Sequence, residues 1–289
     1  MAFVAVHIGA GFHSPLKREK YQQICTIACE AGMRLLKNNA SSIETVVAVI
    51  KCLEDEDSIE TVVAVIKCLE DEELTNAGYG SNLSISGNVE CDASLMDGSD
   101  LMFGAVGALQ SVKNPIEAAY CVLNSQRTPM PLGLIAPNFL VGESASKWAI
   151  SKGCEQSSLL SEKAAQVYEK YRAKLDSYQQ ENEPFQDLPV KRARYDTVGA
   201  VVIDLQGRVA SGVSSGGLIL KQDGRVGQAA IAGAGCWAQE NVAVSTSGIG
   251  EYIVRTSLAK ECAKVLLAND SSDQCPLSAV TKVFQEQFF

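Results

Sequence analysis

Thr197 is the residue whose type and setting first suggest chemistry. It follows Asp196 and opens onto Val198-Gly199-Ala200-Val201-Val202-Ile203, a largely β-branched apolar run that begins where a polar tract rich in Gln, Glu and Lys ends at Tyr195. A threonine hydroxyl is a weak nucleophile unless a base lies beside it. Cutting the chain just ahead of the threonine supplies one, because the new α-amine titrates at about 7.7–8 when unperturbed, near the pH at which a general base is most useful. The Asp196-Thr197 bond is therefore a candidate for self-cleavage. On this stretch alone, Asp-Thr also reads as a turn leading into a strand.

Other chemistries find less support. The two histidines, His7 and His13, both fall in the first thirteen positions, which argues against a Ser-His-Asp or Cys-His arrangement. Ten cysteines are spread over 289 residues without a dense framework, a pattern of reduced thiols rather than disulfides. Cys25 and Cys29 share a helix face, but no His or further Cys stands at zinc-ligand spacing, so no metal site is expected. No Gly-Lys-Ser/Thr precedes a helix, so a phosphate loop is not expected either.

The elements that must position Thr197 follow from length and patterning. With 46% hydrophobic residues the chain can bury one large core, and a net charge of -9 argues against direct nucleic-acid or anionic-membrane binding. Residues 1–8 lack a basic leader and a long apolar stretch, so they read as a strand and not as a signal peptide. Apolar residues at helical spacing predict a helix from about Leu16 to Asn38. Shorter strands are expected at Phe103 to Leu109 and Phe139 to Val141, with helices starting at Pro115 and running through Ala149. Residues 157–194 form a polar linker, a tethered or mobile segment that is helical in its first half. After Thr197 come a hairpin, three glycine-rich loops, a strand at Val242 to Ser245 and one long helix to about Leu267. Helices flanking runs of hairpin strands predict antiparallel sheets covered by helices.

One segment recurs unchanged: Ser42 to Glu56 reappears as Ser58 to Glu72, at a period of 16 residues. Two copies do not make a solenoid. Sixteen residues leave a helix about 160 degrees past whole turns, so only one copy can dock on a fixed core face. The repeat reads as a duplication or a gene-model error, without a functional role.

Several motifs in order carry a resemblance. These are His7-Ile8-Gly9-Ala10-Gly11, Asn76-Ala77-Gly78, Asp92-Ala93-Ser94-Leu95-Met96-Asp97-Gly98, Asp196-Thr197-Val198-Gly199-Ala200, Gly224-Arg225-Val226-Gly227 and Ser247-Gly248-Ile249-Gly250-Glu251. The set resembles the asparaginase-2 branch of the N-terminal nucleophile hydrolases, and within it most resembles the threonine aspartases (taspases). The resemblance implies an α+β fold, a four-layer αββα sandwich, made as one precursor over residues 1–289. It would divide into an α part, 1–196, and a β part, 197–289, whose last strands are missing.

Carried over by position, the resemblance makes Thr197 nucleophile and, through its α-amine, base, with Ser215 supporting its hydroxyl. Ser247 and Gly248 would hold the oxyanion with Asn76 nearby, and Arg225 would grip a substrate carboxylate. Relatives that cleave asparagine or β-aspartyl compounds carry an Asp where this chain has Gln228. A neutral amide cannot balance a substrate ammonium but can hydrogen-bond a peptide group, which suits an aspartate inside a polypeptide. The resemblance thus implies a threonine endopeptidase that cuts after Asp without metal or organic cofactor. Its partners would be protein substrates with internal Asp, nuclear transcriptional regulators in that branch. The cleaved parts would stay together as a heterodimer or as α2β2, in nucleus and cytoplasm, with Lys191, Arg192 and Arg194 as an import signal. An isoaspartyl peptidase or asparaginase, and a fragment without catalysis, are the alternatives.

Overall fold

The computed structural model describes residues 2–10, 15–37, 58–181, 197–269 and 275–287. Along the chain the elements are β1 (Phe3–Ile8), α1 (Arg18–Lys37), α2 (Ser58–Glu70), β2 (Cys91–Asp97), β3 (Phe103–Leu109), α3 (Pro115–Ser125), β4 (Phe139–Val141) and α4 (Gly142–Ser151). They continue as α5 (Glu162–Glu181), β5 (Val198–Ile203), β6 (Val209–Ser215), β7 (Cys236–Gln239), β8 (Val242–Ser245), α6 (Gly250–Thr256), α7 (Leu258–Asn269) and α8 (Pro276–Gln287). Asp196, Lys191, Arg192, Arg194, His13 and the first repeat copy lie outside the described residues.

The apolar run after Thr197 is β5, and it lies inside a six-stranded sheet of order β1-β5-β6-β2-β3-β4. All neighbours are antiparallel except β3 and β4. Central position leaves β5 covered on both faces, which explains why it is apolar throughout rather than alternating. Its partners come from both parts of the chain: β1 pairs it on one side, while β6 on the other side pairs onward to β2.

Helices α1, α2 and α3 cover one face. The second repeat copy supplies α2, which buries Ile59, Val62, Val65, Ile66 and Leu69 completely or nearly so. These side chains require a close approach to the sheet, and Gly212 of β6 permits it. A Cβ there would fall 2.6 Å from Val62 Cγ1 and 2.9 Å from Ile66 Cδ1.

On the opposite face, the two-stranded β7-β8 sheet packs over β2, β5 and β6 around Met96, Val209, Val213, Cys236 and Ala238. Helices α7 and α8 lie behind it, with Leu258, Cys262 and Val283 buried. The fold is a mixed α/β one with a central, mostly antiparallel sheet and helices. Its second sheet has two strands among the described residues, short of the expected four-layer sandwich.

Two other expectations differ in detail. The single helix expected to about Leu267 is two, because Ser257 adopts a left-handed conformation (φ 48°) that ends α6 before α7 begins. The polar tract beyond Ser157 is helical in its first part, as expected, in the 20-residue helix α5. That helix is tied down by Tyr168 Oη and Arg172 Nη1, both donating to Ile85 O at 3.1 Å. Strands β2 and β7 were not expected, since Cys91-Asp92-Ala93-Ser94 and Cys236-Trp237-Ala238-Gln239 lack a β-branched run.

Candidate active site

The pairing of β5 with β6 matches Val198 to Ser214, so the residue preceding β5 stands opposite the end of β6. Thr197 is buried there, and its Oγ1 donates to Ser215 Oγ at 3.1 Å. A third side chain reaches the same hydroxyl, with Gln228 Nε2 donating to Thr197 Oγ1 at 3.2 Å. Gln228 is buried on a short 3-10 turn, Gln228–Ala230. Thr197 Oγ1 is therefore held in one direction as donor and in another as acceptor.

Asn76, Thr197, Ser215, Gly217, Arg225, Gln228, Gly248 and Gly250 line one small pocket, together with Leu218. Six of the sequence-derived site residues thus converge with the glycines Gly217 and Gly250, although they come from distant stretches of chain. Asn76 works partly as a brace. Its Nδ2 donates to Gly217 O at 2.8 Å, its Oδ1 accepts from Asn82 N at 2.8 Å, and its carbonyl accepts from Gly216 N at 2.7 Å. These bonds fix the Ser215-Gly216-Gly217 bend over which Thr197 sits.

Ser247 is placed differently from Gly248. Its hydroxyl accepts from Ala10 N at 3.0 Å and faces a neighbouring, mostly apolar cavity lined also by His7, Ala200, Val244 and Leu258. Gly248 alone of the pair lines the Thr197 pocket, with φ of 152°.

Arg225 stands on a loop that is tied down at several points. Gly224 N donates to Glu90 Oε2 at 2.8 Å, Gly227 N to Asp92 Oδ2 at 2.8 Å, and Lys221 Nζ to Glu90 O at 2.7 Å. Asp92 also accepts from Ala108 N at 2.9 Å. Burial pushes its carboxyl up, against the pull of Lys221 and these backbone donors. Such pre-ordering of a loop reduces the entropy that a ligand would otherwise have to remove.

The guanidinium itself is engaged by Glu251, whose Oε1 accepts from Arg225 Nε at 3.0 Å and Nη2 at 2.7 Å. Burial acts to raise the Glu251 carboxyl, but the Arg225 bonds outweigh it and hold the group below its ordinary value.

A scan against family models matches residues 55–288 to the asparaginase family of type 2. The chain belongs to the asparaginase-2 family. It is 34% identical over 262 residues to the isoaspartyl peptidase/L-asparaginase of Rattus norvegicus, an alignment covering 89% of this chain and 68% of the relative. The Homo sapiens protein of the same name is 34% identical over 259 residues, covering 89% and 74%. The plant-type L-asparaginase of Thermococcus kodakarensis is 34% identical over 296 residues, covering 98% and 87%. Members of the family matched in this way are thus named for isoaspartyl peptidase or asparaginase activity, and the narrower threonine aspartase resemblance is not among those names. As an asparaginase-2 member, the chain is a hydrolase of the N-terminal nucleophile superfamily.

Sequence reasoning gave no role to His7, which lines the cavity beside the Thr197 pocket. Its Nε2 lies 2.9 Å from Ser245 Oγ, while Ser245 Oγ donates to Gly212 O at 3.3 Å. In the Nε2–H tautomer His7 donates to Ser245 Oγ. Its Nδ1 is then free to accept the long bond from Gly9 N at 3.4 Å. Burial drives the imidazole down to about 4, against a hydrogen bond to the Thr197 backbone, so His7 is neutral at physiological pH. Gly199 makes room, since a Cβ there would lie 2.3 Å from His7 Nε2 and 2.1 Å from Ser245 Oγ. The available signal was the absence of a side chain two residues after Thr197, where β1 and β5 pair His7 with Gly199. Among the described residues no three His, Cys, Asp or Glu side chains come together to hold a metal.

Proposed function

We propose that Thr197 is the nucleophile of an amide hydrolase that first cuts its own Asp196-Thr197 bond and then cleaves polypeptides after aspartate. In the first reaction Thr197 Oγ1 attacks the Asp196 carbonyl carbon, the C–N bond breaks, and an ester replaces the amide. Water then hydrolyses the ester and leaves Thr197 with a free α-amine. In the second, that amine takes the hydroxyl proton as Oγ1 attacks the substrate carbonyl, and the proton passes to the departing amine as the C–N bond breaks. Water then hydrolyses the ester left on Thr197, releasing the Asp-ended product and restoring the hydroxyl. Gly248, with the Ser247-Gly248 peptide and Asn76, would hold the charge that develops on the carbonyl oxygen. The six-stranded sheet supports a heterodimer after cutting, because β1–β5 and β2–β6 pairings both cross the cut. A four-layer αββα sandwich remains the fold that this reading implies.

The observation that carries the polypeptide reading is Gln228 donating to Thr197 Oγ1. A neutral amide at this place has no charge with which to bind the free α-ammonium of asparagine or of a β-aspartyl dipeptide. Arg225 supplies the complementary preference for a carboxylate side chain.

The names of the similar relatives favour a second reading, an isoaspartyl peptidase or L-asparaginase. Three substrates separate the two. The self-cleaved protein is given a peptide with one internal Asp, the same peptide with Asn, and a β-aspartyl dipeptide. The first reading expects cleavage of the Asp peptide at least tenfold faster than either other substrate. Faster turnover of the β-aspartyl dipeptide assigns the protein to the second.

A further inference from the structure

Arg225 and Glu251 make an ion pair with a particular geometry. One carboxylate oxygen, Oε1, accepts from both Nε and Nη2, which is the side edge of the guanidinium. Arg225 has 16% of its side chain exposed and Glu251 has 48%, so the cation faces inward and the anion outward. The other edge, formed by Nη1 and Nη2, has been left open by missing side chains. A Cβ on Gly227 would stand 2.7 Å from Nη1, one on Gly217 2.9 Å from Nη1, and one on Gly250 2.7 Å from Nη2. Gly217 and Gly250 line the Thr197 pocket with Arg225 itself.

A guanidinium offers a carboxylate two good ways to dock in parallel, through its side edge or through its end edge. The two place the bound molecule differently by several ångströms, whereas attack on a carbonyl tolerates an error of only about 1 Å. An arginine meant to set substrate register must therefore have one edge closed.

We propose that Glu251 is a specificity-determining positioning residue: it occupies the side edge of Arg225 so that a substrate carboxylate can bind only at the end edge, in the glycine-lined slot of Gly217, Gly227 and Gly250. The inference rests on the reading of Arg225 as the carboxylate-binding residue. Glu251 does not touch substrate. It acts through Arg225, by orientation and by excluding the competing mode. The same closure explains why helix α6, on which Glu251 stands, begins with Gly250, because a side chain there would meet both Nη2 and, at 2.6 Å, Gln228 Oε1.

The test compares wild type, Glu251→Gln and Glu251→Asp after self-cleavage, using the internal-Asp peptide and its Asn counterpart. Glutamine keeps the shape but loses the charge, so Arg225 is released and the carboxylate gains a second, unproductive mode. The ratio of kcat/KM for Asp over Asn should fall about tenfold or more in Glu251→Gln, chiefly through kcat. Asp peptide binding should persist, the thermal midpoint should change little, and Glu251→Asp should recover part of the ratio. An unchanged ratio in Glu251→Gln beside a wild type that prefers Asp overturns the proposal alone. A wild type that self-cleaves but shows no preference for Asp overturns it together with the assigned role of Arg225, while leaving Thr197 as nucleophile.

Discussion

Gln228 Nε2 donates to Thr197 Oγ1 at 3.2 Å from a buried position on the loop that follows Arg225. The resemblance implies that relatives acting on asparagine or β-aspartyl compounds carry an aspartate at this position. Gln228→Asp removes the donor, sets a negative charge beside a hydroxyl that must lose its proton, and creates a partner for a substrate ammonium. Self-cleavage should slow about tenfold or more, and turnover of the Asp peptide relative to the β-aspartyl dipeptide should fall by a similar factor. Both are read from peptide-release kinetics, and an unaltered ratio contradicts the role given to Gln228.

Ser215 is the acceptor for Thr197 Oγ1 and also accepts from Gly217 N at 3.1 Å. Ser215→Ala leaves the nucleophile free to rotate and leaves one backbone donor unpaired. Stability should drop by about 1–2 kcal/mol, whereas self-cleavage should slow about a hundredfold. Denaturant titration and a gel time course separate the two effects.

Much of this site was legible from residue types and their order. Thr197 stood out because an apolar strand begins just after a polar tract, and the resemblance brought Ser215, Asn76, Arg225 and Gln228 to the same place. All five line one pocket in the structure. Ser247 did not follow Gly248 into it, since its hydroxyl is taken by Ala10 N. The supports were less visible. Asp92, Glu90 and Glu251 act through backbone amides or through Arg225, and nothing in a sequence says which distant N–H a carboxylate will meet. Strand β2 was hidden because burial on both faces of a small-residue strand requires Ala, Ser and Cys rather than Val and Ile.

Asp92 holds two backbone amides, Gly227 N and Ala108 N, on separate oxygens. Asp92→Asn replaces one acceptor by an amide donor that faces a backbone donor. The variant should lose about 2–3 kcal/mol of stability and loosen the Arg225 loop. A thermal midpoint within error of wild type counts against this bracing role.

Two buried groups impose opposite pH dependences on stability. His7 has its pKa lowered by burial to about 4 from 6.5, so between these values the unfolded chain binds the extra proton and stability falls as pH drops. Glu70 of α2 is raised by burial to about 8 from 4.5, against the pull of Ser214, Ile116 N and Asn114. The folded chain therefore keeps a proton that the unfolded chain releases, and stability falls as pH rises from about 4.5 to 8. Glu70→Gln should flatten the alkaline side of the profile and leave the acid side in place. His7→Asn should flatten the acid side. Denaturation midpoints between pH 4 and 9 for the three proteins decide the matter, and a Glu70→Gln profile parallel to wild type contradicts the assignment.

The central claim is that Thr197 Oγ1 attacks the bond before it. The most direct measurement follows the intact chain and its Thr197→Ala and Thr197→Ser variants by mass spectrometry during incubation. Wild type should yield two chains, the smaller beginning at Thr197, and serine should permit slower cutting at the same bond. Alanine should leave the chain whole while retaining its fold by circular dichroism. Cutting between residues 196 and 197 in the alanine variant, at a rate like that of wild type, would contradict the account.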